Sequence, residues 1–469
     1  MTRTRLHDVA HEFTDVALGD QRLNKRLASI VARAAASPGA SFPKMVPSVA
    51  EREAFYRFVE NDRVEWSAII APHYQATATR CRAAKVIRVA HDTSWFEFGG
   101  ERQGLGPVTN NEQAFAGHFS LAVAADELRA PLGVLAVSSF VRAVKPRVRT
   151  KKQRAARVRA YNRVSREEKE SARWLEGVRE AEAQLGTGVD CIHVMDQEAD
   201  NFVVLADLVD WKRRFVVRGS TERRLAGEES RHVDDALGEV KATAFRKVRL
   251  SPRMKPTAGH SRREERDATL VIRGVSVVLH KPERAQHSKK RLPLNVVQVF
   301  EPKPPEGAEP VEWTLYTTEP IDTPEALTAV VDHYRARWRI EEYFKAIKTG
   351  CSFEKRQLTT YASLLRALAL LAPIAWHLLA IRAVARDAGD RPASDVVDAV
   401  QLDVLRLLAP SSKLPKRPTV RDVMRAVADV GGWIRQNGEP GWIVLGRGYE
   451  DLVKAEMVWR AVLARQREK

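Results

Sequence analysis

The sequence predicts an α/β protein in which a mixed sheet is flanked by helical regions at both chain ends. Three observations carry this. Apolar runs rich in β-branched residues at 85–90, 118–124, 132–140, 191–195 and 214–218 are separated by helical spacing at about 166–185 and 199–208, which gives the order β-β-β-α-β-α-β. Residues before about 75 and after about 371 show helical periodicity instead of alternation. The 469 residues leave room for about three domains at ~150 residues each, enough to bury more than one core.

Composition narrows the function classes. With 44% hydrophobic and 29% charged residues the chain is neither disordered nor fibrous. Lys plus Arg outnumber Asp plus Glu by 77 to 60, a net charge of +17, which points to a polyanionic partner and first to nucleic acid. Cys81, Cys191 and Cys351 stand far apart, so neither a disulfide framework nor a cysteine zinc site is expected and the compartment reads as reducing. The stretch Met1 to Asp8 runs into charge without an apolar core, so no secretory signal is expected. Leu364 to Ile381 is interrupted by Arg366, Pro373 and His377, and is read as a buried helix with no membrane partner.

Taken in order, residues 1–75 form a helical region. Ser48-Val49-Ala50-Glu51 is a capping box, Phe55, Phe58 and Val59 follow at helical spacing, and Arg22, Lys25, Arg26 and Lys44 lie on or between the helices. That suits a small DNA-contacting domain, and equally a solvated helix face. Residues 76–370 hold the sheet. The turn at 126–131 joins the second and third strands, and Trp174, Leu175, Val178 and Ala181 share a face of the following helix. From about 221 to 310 the pattern is interrupted by an inserted β subdomain with strands at 244–250, 268–280 and 294–300, ending in Pro302, Pro304, Pro305 and Pro310. A strand at 312–317 leads to a helix with Thr323 as N-cap and Pro324 at its first position, stopping near Gly350. Residues 371–469 are helical, with loops at 387–392 and 409–418.

Three antiparallel strands followed by α-β-α-β can form a sheet in which the first and fourth strands are neighbours, the ribonuclease H-like arrangement. Asp92 ends the first strand and Asp196 the fourth, so both come to one edge, where a third carboxylate would complete a metal site. Tyr334, Arg337, Glu341 and Lys348 lie at offsets 0, 3, 7 and 14, within a ~60° arc of one helix at 100° per residue. One carboxylate among a phenol, a guanidinium and an ammonium suits a surface that holds a metal and grips phosphates, although a solvated ion-pair face has the same spacing. Glu342 is turned ~80° from Tyr334 and out of the stripe. The stretch from Arg142 to Arg166 is densely basic without an acidic residue, and reads as a loop touching DNA backbone or as a solvated segment. His91, Cys191 and His193 do not make a metal site, because neighbouring strand residues face opposite ways and no second pair supplies ligands.

His91-Asp92-Thr93-Ser94, Met195-Asp196-Gln197-Glu198-Ala199-Asp200, Arg214 to Arg218 and the Tyr-x2-Arg-x3-Glu-x6-Lys stripe continuing to Thr349-Gly350 resemble the transposases of the insertion-sequence-four family. Order and spacing agree from Leu18-Gly19-Asp20 to Gly431-Gly432. The resemblance implies that Asp92, Asp196 and Glu341 are an Asp-Asp-Glu triad binding two Mg2+ ions, with Mn2+ able to substitute. It also implies that Tyr334, Arg337 and Lys348 hold phosphates of the transposon end, that Arg218 lies near the active site, and that Trp313 accommodates a flipped base. The implied activity is cut-and-paste transposition through a hairpin intermediate. The implied partners are terminal inverted repeats, target DNA and a second protomer joined through the final helices, in a cytoplasmic, nucleoid-associated bacterial protein. Gln197 replaces the family's arginine after the second aspartate, and Phe344 replaces a histidine. A nuclease or resolvase that cuts without joining would share the triad but not need the stripe, Trp313 or the C-terminal helices. A catalytically silent DNA-binding repressor would not need all three carboxylates.

Overall fold

The computed structural model describes residues 8–46, 48–108, 112–142, 150–165, 169–227, 231–250 and 262–467. The chain opens with helices α1 (Gln21–Ala36), α2 (Phe42–Met45), α3 (Val49–Val59) and α4 (Trp66–Ala84). Strands β1 (Val86–Gly99), β2 (Gly106–Pro107), β3 (Glu112–Ala124) and β4 (Pro131–Phe140) follow, then helices α5 (Lys151–Arg163) and α6 (Ala172–Leu185). Next come β5 (Asp190–Met195), α7 (Phe202–Asp210), β6 (Arg214–Arg218), α8 (Val233–Gly238), β7 (Ala244–Leu250), β8 (Arg266–His280), β9 (Arg291–Phe300) and β10 (Glu312–Thr317). Helices α9 (Pro324–Ala336), α10 (Trp338–Lys345), α11 (Tyr361–Asp387), α12 (Ala399–Leu408), α13 (Val420–Val430) and α14 (Trp442–Arg467) complete it.

The strands form one mixed sheet in the order β2-β3-β1-β5-β6-β10-β9-β8-β7, with β4 also on β3. The segment β4-β3-β1-β5-β6 is the ribonuclease H-like arrangement, with β1, β5 and β6 mutually parallel and β3 and β4 antiparallel. The inserted strands lie where their alternation places them and extend the same sheet: β10 pairs with β6 on one side and β9 on the other, and β8 and β7 follow outward.

Local chemistry fixes the element ends. The Asp20, Ser48 and Thr323 side chains accept from backbone N–H groups in the first turns of α1, α3 and α9, and Pro324 begins α9. Several boundaries differ from the sequence reading. β1 runs past Asp92 to Gly99, because β3 stays paired with it along its whole length while β5 stops at Met195. The helix expected from Arg166 begins at Ala172, with 166–168 outside the described residues, and the short helix is Phe202–Asp210 behind a single tight turn at Gln197–Ala199. Much of the basic loop is the helix α5, while 143–149 lie outside the described residues. The helix from Thr323 is interrupted at Arg337 and widens to a π turn over Ala346–Gly350.

One core joins α1 to α4, strands β1, β3 and β4, and helices α10 and α11. The long apolar helix α11 runs through it; its most apolar 18-residue window, long and apolar enough to cross a membrane, is 94% buried inside the protein. A charged cluster pins the N-terminal region to this core. Glu12 accepts from His73 at 2.5 Å and from Arg80 at 2.7 Å, while the Val134 N–H donates to the other His73 nitrogen at 3.0 Å. Burial alone would raise the Glu12 carboxyl, but His73 and Arg80 outweigh it and hold it at about 2. A depressed folded pKa contributes stability above the unfolded value that is lost as pH falls toward 2. Glu12→Gln is therefore expected to cost about 2–3 kcal/mol at pH 7 and far less near pH 2–3, checked by denaturant unfolding at both.

Candidate active site

The site begins with register. β1 and β5 run parallel and their pairing ends at His91 opposite Met195, so the next residue of each chain segment, Asp92 and Asp196, emerges at the same edge. Asp92 accepts the Thr93 N–H at 2.7 Å, and Asp196 caps the tight turn behind β5 by accepting the Glu198 N–H at 2.9 Å. Glu341 comes from α10. α10 is separated from α9 by an interruption at Arg337, whose N–H bonds the Tyr334 carbonyl three residues back at 3.0 Å.

Arg337 ties the parts together. It donates to Asp92 Oδ2 at 2.9 Å and to the Glu341 carboxylate, and its guanidinium lies 5.7 Å from the Tyr334 ring centre. Its Nε is buried and has no partner among the described residues. Burial opposes the Arg337 charge, but Tyr334, Glu341 and Asp92 raise its pKa further above the ordinary value. Asp92 is pushed up to about 7, chiefly by burial and then by the charge of Asp196, with Arg337 pulling the other way. Burial likewise raises Asp196.

This is a crowded set of carboxylates short of positive charge, and its all-oxygen donors suit hard divalent cations. Among the described residues no group of His, Cys, Asp or Glu already stands at metal-holding distances. The Arg337 guanidinium is bonded to both Asp92 and Glu341.

Beyond Arg337 the site widens. Trp313 packs edge-on against Tyr334 at 5.7 Å and lines a cleft of about 1210 Å³ together with Arg218, Arg246, Arg262, Arg335 and Trp338. Trp338 is 58% exposed there. An exposed tryptophan among arginines has the chemistry on which bases can stack. It is a residue the sequence reading passed over, since at four residues after Tyr334 it falls ~40° from it on the side away from the stripe.

Lys348 does not join the cluster around Arg337. Lys348 lies within the π turn, its ammonium beside β1, where it donates to the Trp95 carbonyl at 2.5 Å and pairs with Glu354 at 3.2 Å, so the four-residue stripe is a straight-helix idealisation. Glu342 is turned away, paired with Arg339 and Arg386. Phe344 packs on Phe119 in the core, and Gln197 is exposed. His91 faces away from Asp92 and meets His193 at 2.9 Å, which in turn reaches Glu182 at 3.2 Å.

Comparison with protein families places these residues in context. Residues 8–64 match the family model of the transposase DNA-binding domain, and residues 141–376 match that of the transposase DDE domain. The second match includes Asp196 and Glu341 and begins beyond Asp92.

Proposed function

The chain belongs to the transposase DDE-domain family, and from that premise we propose that it is a cut-and-paste transposase of the insertion-sequence-four group, with Asp92, Asp196 and Glu341 as its triad. The observation that carries the reading is that parallel β1 and β5 bring Asp92 and Asp196 to one edge, where Arg337 bonds both Asp92 and the helix glutamate Glu341. Such a site belongs to an enzyme that cuts and joins DNA with divalent metal ions. The three carboxylates would hold two Mg2+ ions, with Mn2+ able to substitute. When bound, these supply the Lewis acidity that activates an attacking oxygen and stabilises a leaving one in an in-line displacement.

The protein's own residues bind and orient. Arg337, whose buried Nε has no partner among the described residues, and Tyr334 hold phosphates of the transposon end, and Lys348 holds the strand farther along β1. A water oxygen attacks the phosphorus at the transposon end, the bond to the 3′ oxygen breaks, and a 3′-hydroxyl is left. That hydroxyl attacks the opposite strand to close a hairpin and release flanking DNA. A second water opens the hairpin, and the freed 3′-hydroxyl attacks target DNA. Trp313 stacks on the base flipped out to let the hairpin turn, with Arg218 on the adjacent phosphate. The helices before about residue 75, with Arg22, Lys25, Arg26 and Lys44 exposed, bind the terminal inverted repeat. The region after about 370 pairs two protomers: α14 leaves Met457, Val458 and Val462 exposed. The protein works on the bacterial nucleoid, in the cytoplasm.

The test is cleavage of a labelled duplex carrying the element's own end, in Mg2+ or Mn2+, by wild type and Glu341→Ala. A nick followed by a hairpin with wild type, and end binding without either product for the variant, supports the proposal. Nicks that never become hairpins favour the plain nuclease, and binding without cutting by wild type favours the silent DNA-binding protein.

A further inference from the structure

The two aspartate-bearing segments are bridged from behind by a side chain that belongs to neither. Arg173, on α6, donates from Nε to Thr93 Oγ1 at 3.0 Å and from Nη2 to Glu198 Oε2 at 2.7 Å, and its Nη1 bonds the Glu170 carbonyl at 2.6 Å. Each of the two side-chain partners is one hydrogen bond from a triad aspartate. The Thr93 N–H donates to Asp92 and the Glu198 N–H donates to Asp196. We propose that Arg173 is a positioning residue that sets the separation of Asp92 and Asp196 and so the spacing at which they take divalent cations. The inference rests on the triad assignment above.

Three features make this bridge stiff. The guanidinium lies 5.7 Å from the Phe140 ring centre and 5.4 Å from that of Trp174, with only 11% of its side chain exposed. Thr93 is held on its far side, its hydroxyl hydrogen-bonded with His118 Nδ1 at 2.9 Å. Burial drives His118 down to about 3, so the ring stays neutral at any working pH. The helix is also seated closely: a Cβ at Gly177 would stand 3.0 Å from His118 Nε2 and 3.2 Å from His91 Nδ1, so a larger residue there would press on both rings. Arg173, one turn earlier on the same helix, is thereby held above Thr93. Removing a side chain that orients metal-holding carboxylates from behind costs affinity for the ion without touching it.

The experiment compares wild type with Arg173→Gln, Thr93→Val, their double variant and Glu198→Gln, the last altering a side chain that is 60% exposed and therefore safe for folding. Mn2+ binding to the purified protein is titrated by electron paramagnetic resonance of the free ion. Metal-free end binding is followed by gel shift, and the metal concentration for half-maximal cutting is measured separately. The expected result is Mn2+ binding weakened ~10-fold in Arg173→Gln and in Glu198→Gln, with end binding and Tm unchanged, and a double variant no worse than the worse single one. Unchanged Mn2+ affinity overturns the proposal. So does weakened end binding at wild-type Mn2+ affinity, which would make Arg173 a DNA contact, and so do additive losses with a lowered Tm, which would make it structural only. Should wild type bind Mn2+ and never cut, the transposase reading fails while the bridge is still judged by the Mn2+ titration.

Discussion

Asp92→Asn is expected to abolish strand cleavage and, at the same time, to stabilise the metal-free protein at pH 8. The loss of activity follows from removing a charged oxygen donor. Several kcal/mol of transition-state charge stabilisation go with it, on the order of 10³-fold in rate or more. The gain in stability follows from the Asp92 carboxyl, which is pushed up to about 7 by burial and by Asp196. Its folded pKa lies above the unfolded value, so between about pH 4 and 7 the folded state binds the extra proton and stability falls as pH rises. Above 7 the full cost of a buried, poorly compensated carboxylate is present. Its ceiling is about 4 kcal/mol at ~1.4 kcal/mol per pH unit, and the weaker bond that a neutral amide makes with Arg337 offsets part. We expect Asp92→Asn to gain about 1–3 kcal/mol at pH 8 in EDTA and nearly nothing at pH 4. Denaturant unfolding at the two pH values reads this directly. Equal stability of variant and wild type at pH 8 would mean that Asp92 is not strained by its neighbours.

The order of elements and the placing of Asp92 and Asp196 were legible in the sequence because both rest on short-range signals: apolar runs of strand length, and acidic residues directly behind them. Parallel pairing of β1 with β5 then brings the two together without further information. The extent of β1 was not legible. Trp95, Phe96 and Phe98 continue the strand only because β3 remains alongside, and partner length is a tertiary fact. The same holds for Lys348, whose offset from Tyr334 assumes an unbroken helix, whereas the chain breaks step at Arg337 and again at the π turn. Arg173 had no signal at all. It lies far in sequence from both partners, in a helix whose apolar face accounts fully for its pattern, and its role depends on how closely Gly177 lets that helix sit.

Arg337→Ala is expected to lose cleavage as completely as a triad variant, yet with the opposite effect on stability. The guanidinium is the one cation bonded to both Asp92 and Glu341 among the described residues, and its own side chain is only 9% exposed. Its removal leaves Asp92 facing Asp196 without the cation bonded to it, the costly case of a buried pair broken on one side, worth about 3 kcal/mol. The sign with pH separates this from lost packing. At pH 8 Asp92 must be ionised and the cost is full, whereas at pH 5 it is protonated in both proteins and the cost shrinks. A divalent cation should restore stability to the variant by more than it adds to wild type, because in the variant it meets carboxylates that no guanidinium already holds. Arg337→Lys should recover little of the activity, since an ammonium is a point charge and cannot span two carboxylates as the planar fork does. Equal destabilisation at pH 5 and pH 8 would reduce Arg337 to a packing residue. A loss confined to high pH and reversed by Mn2+ would mean that the arginine keeps the acidic cluster intact in the free protein and moves to DNA phosphates when the metal ions take its place.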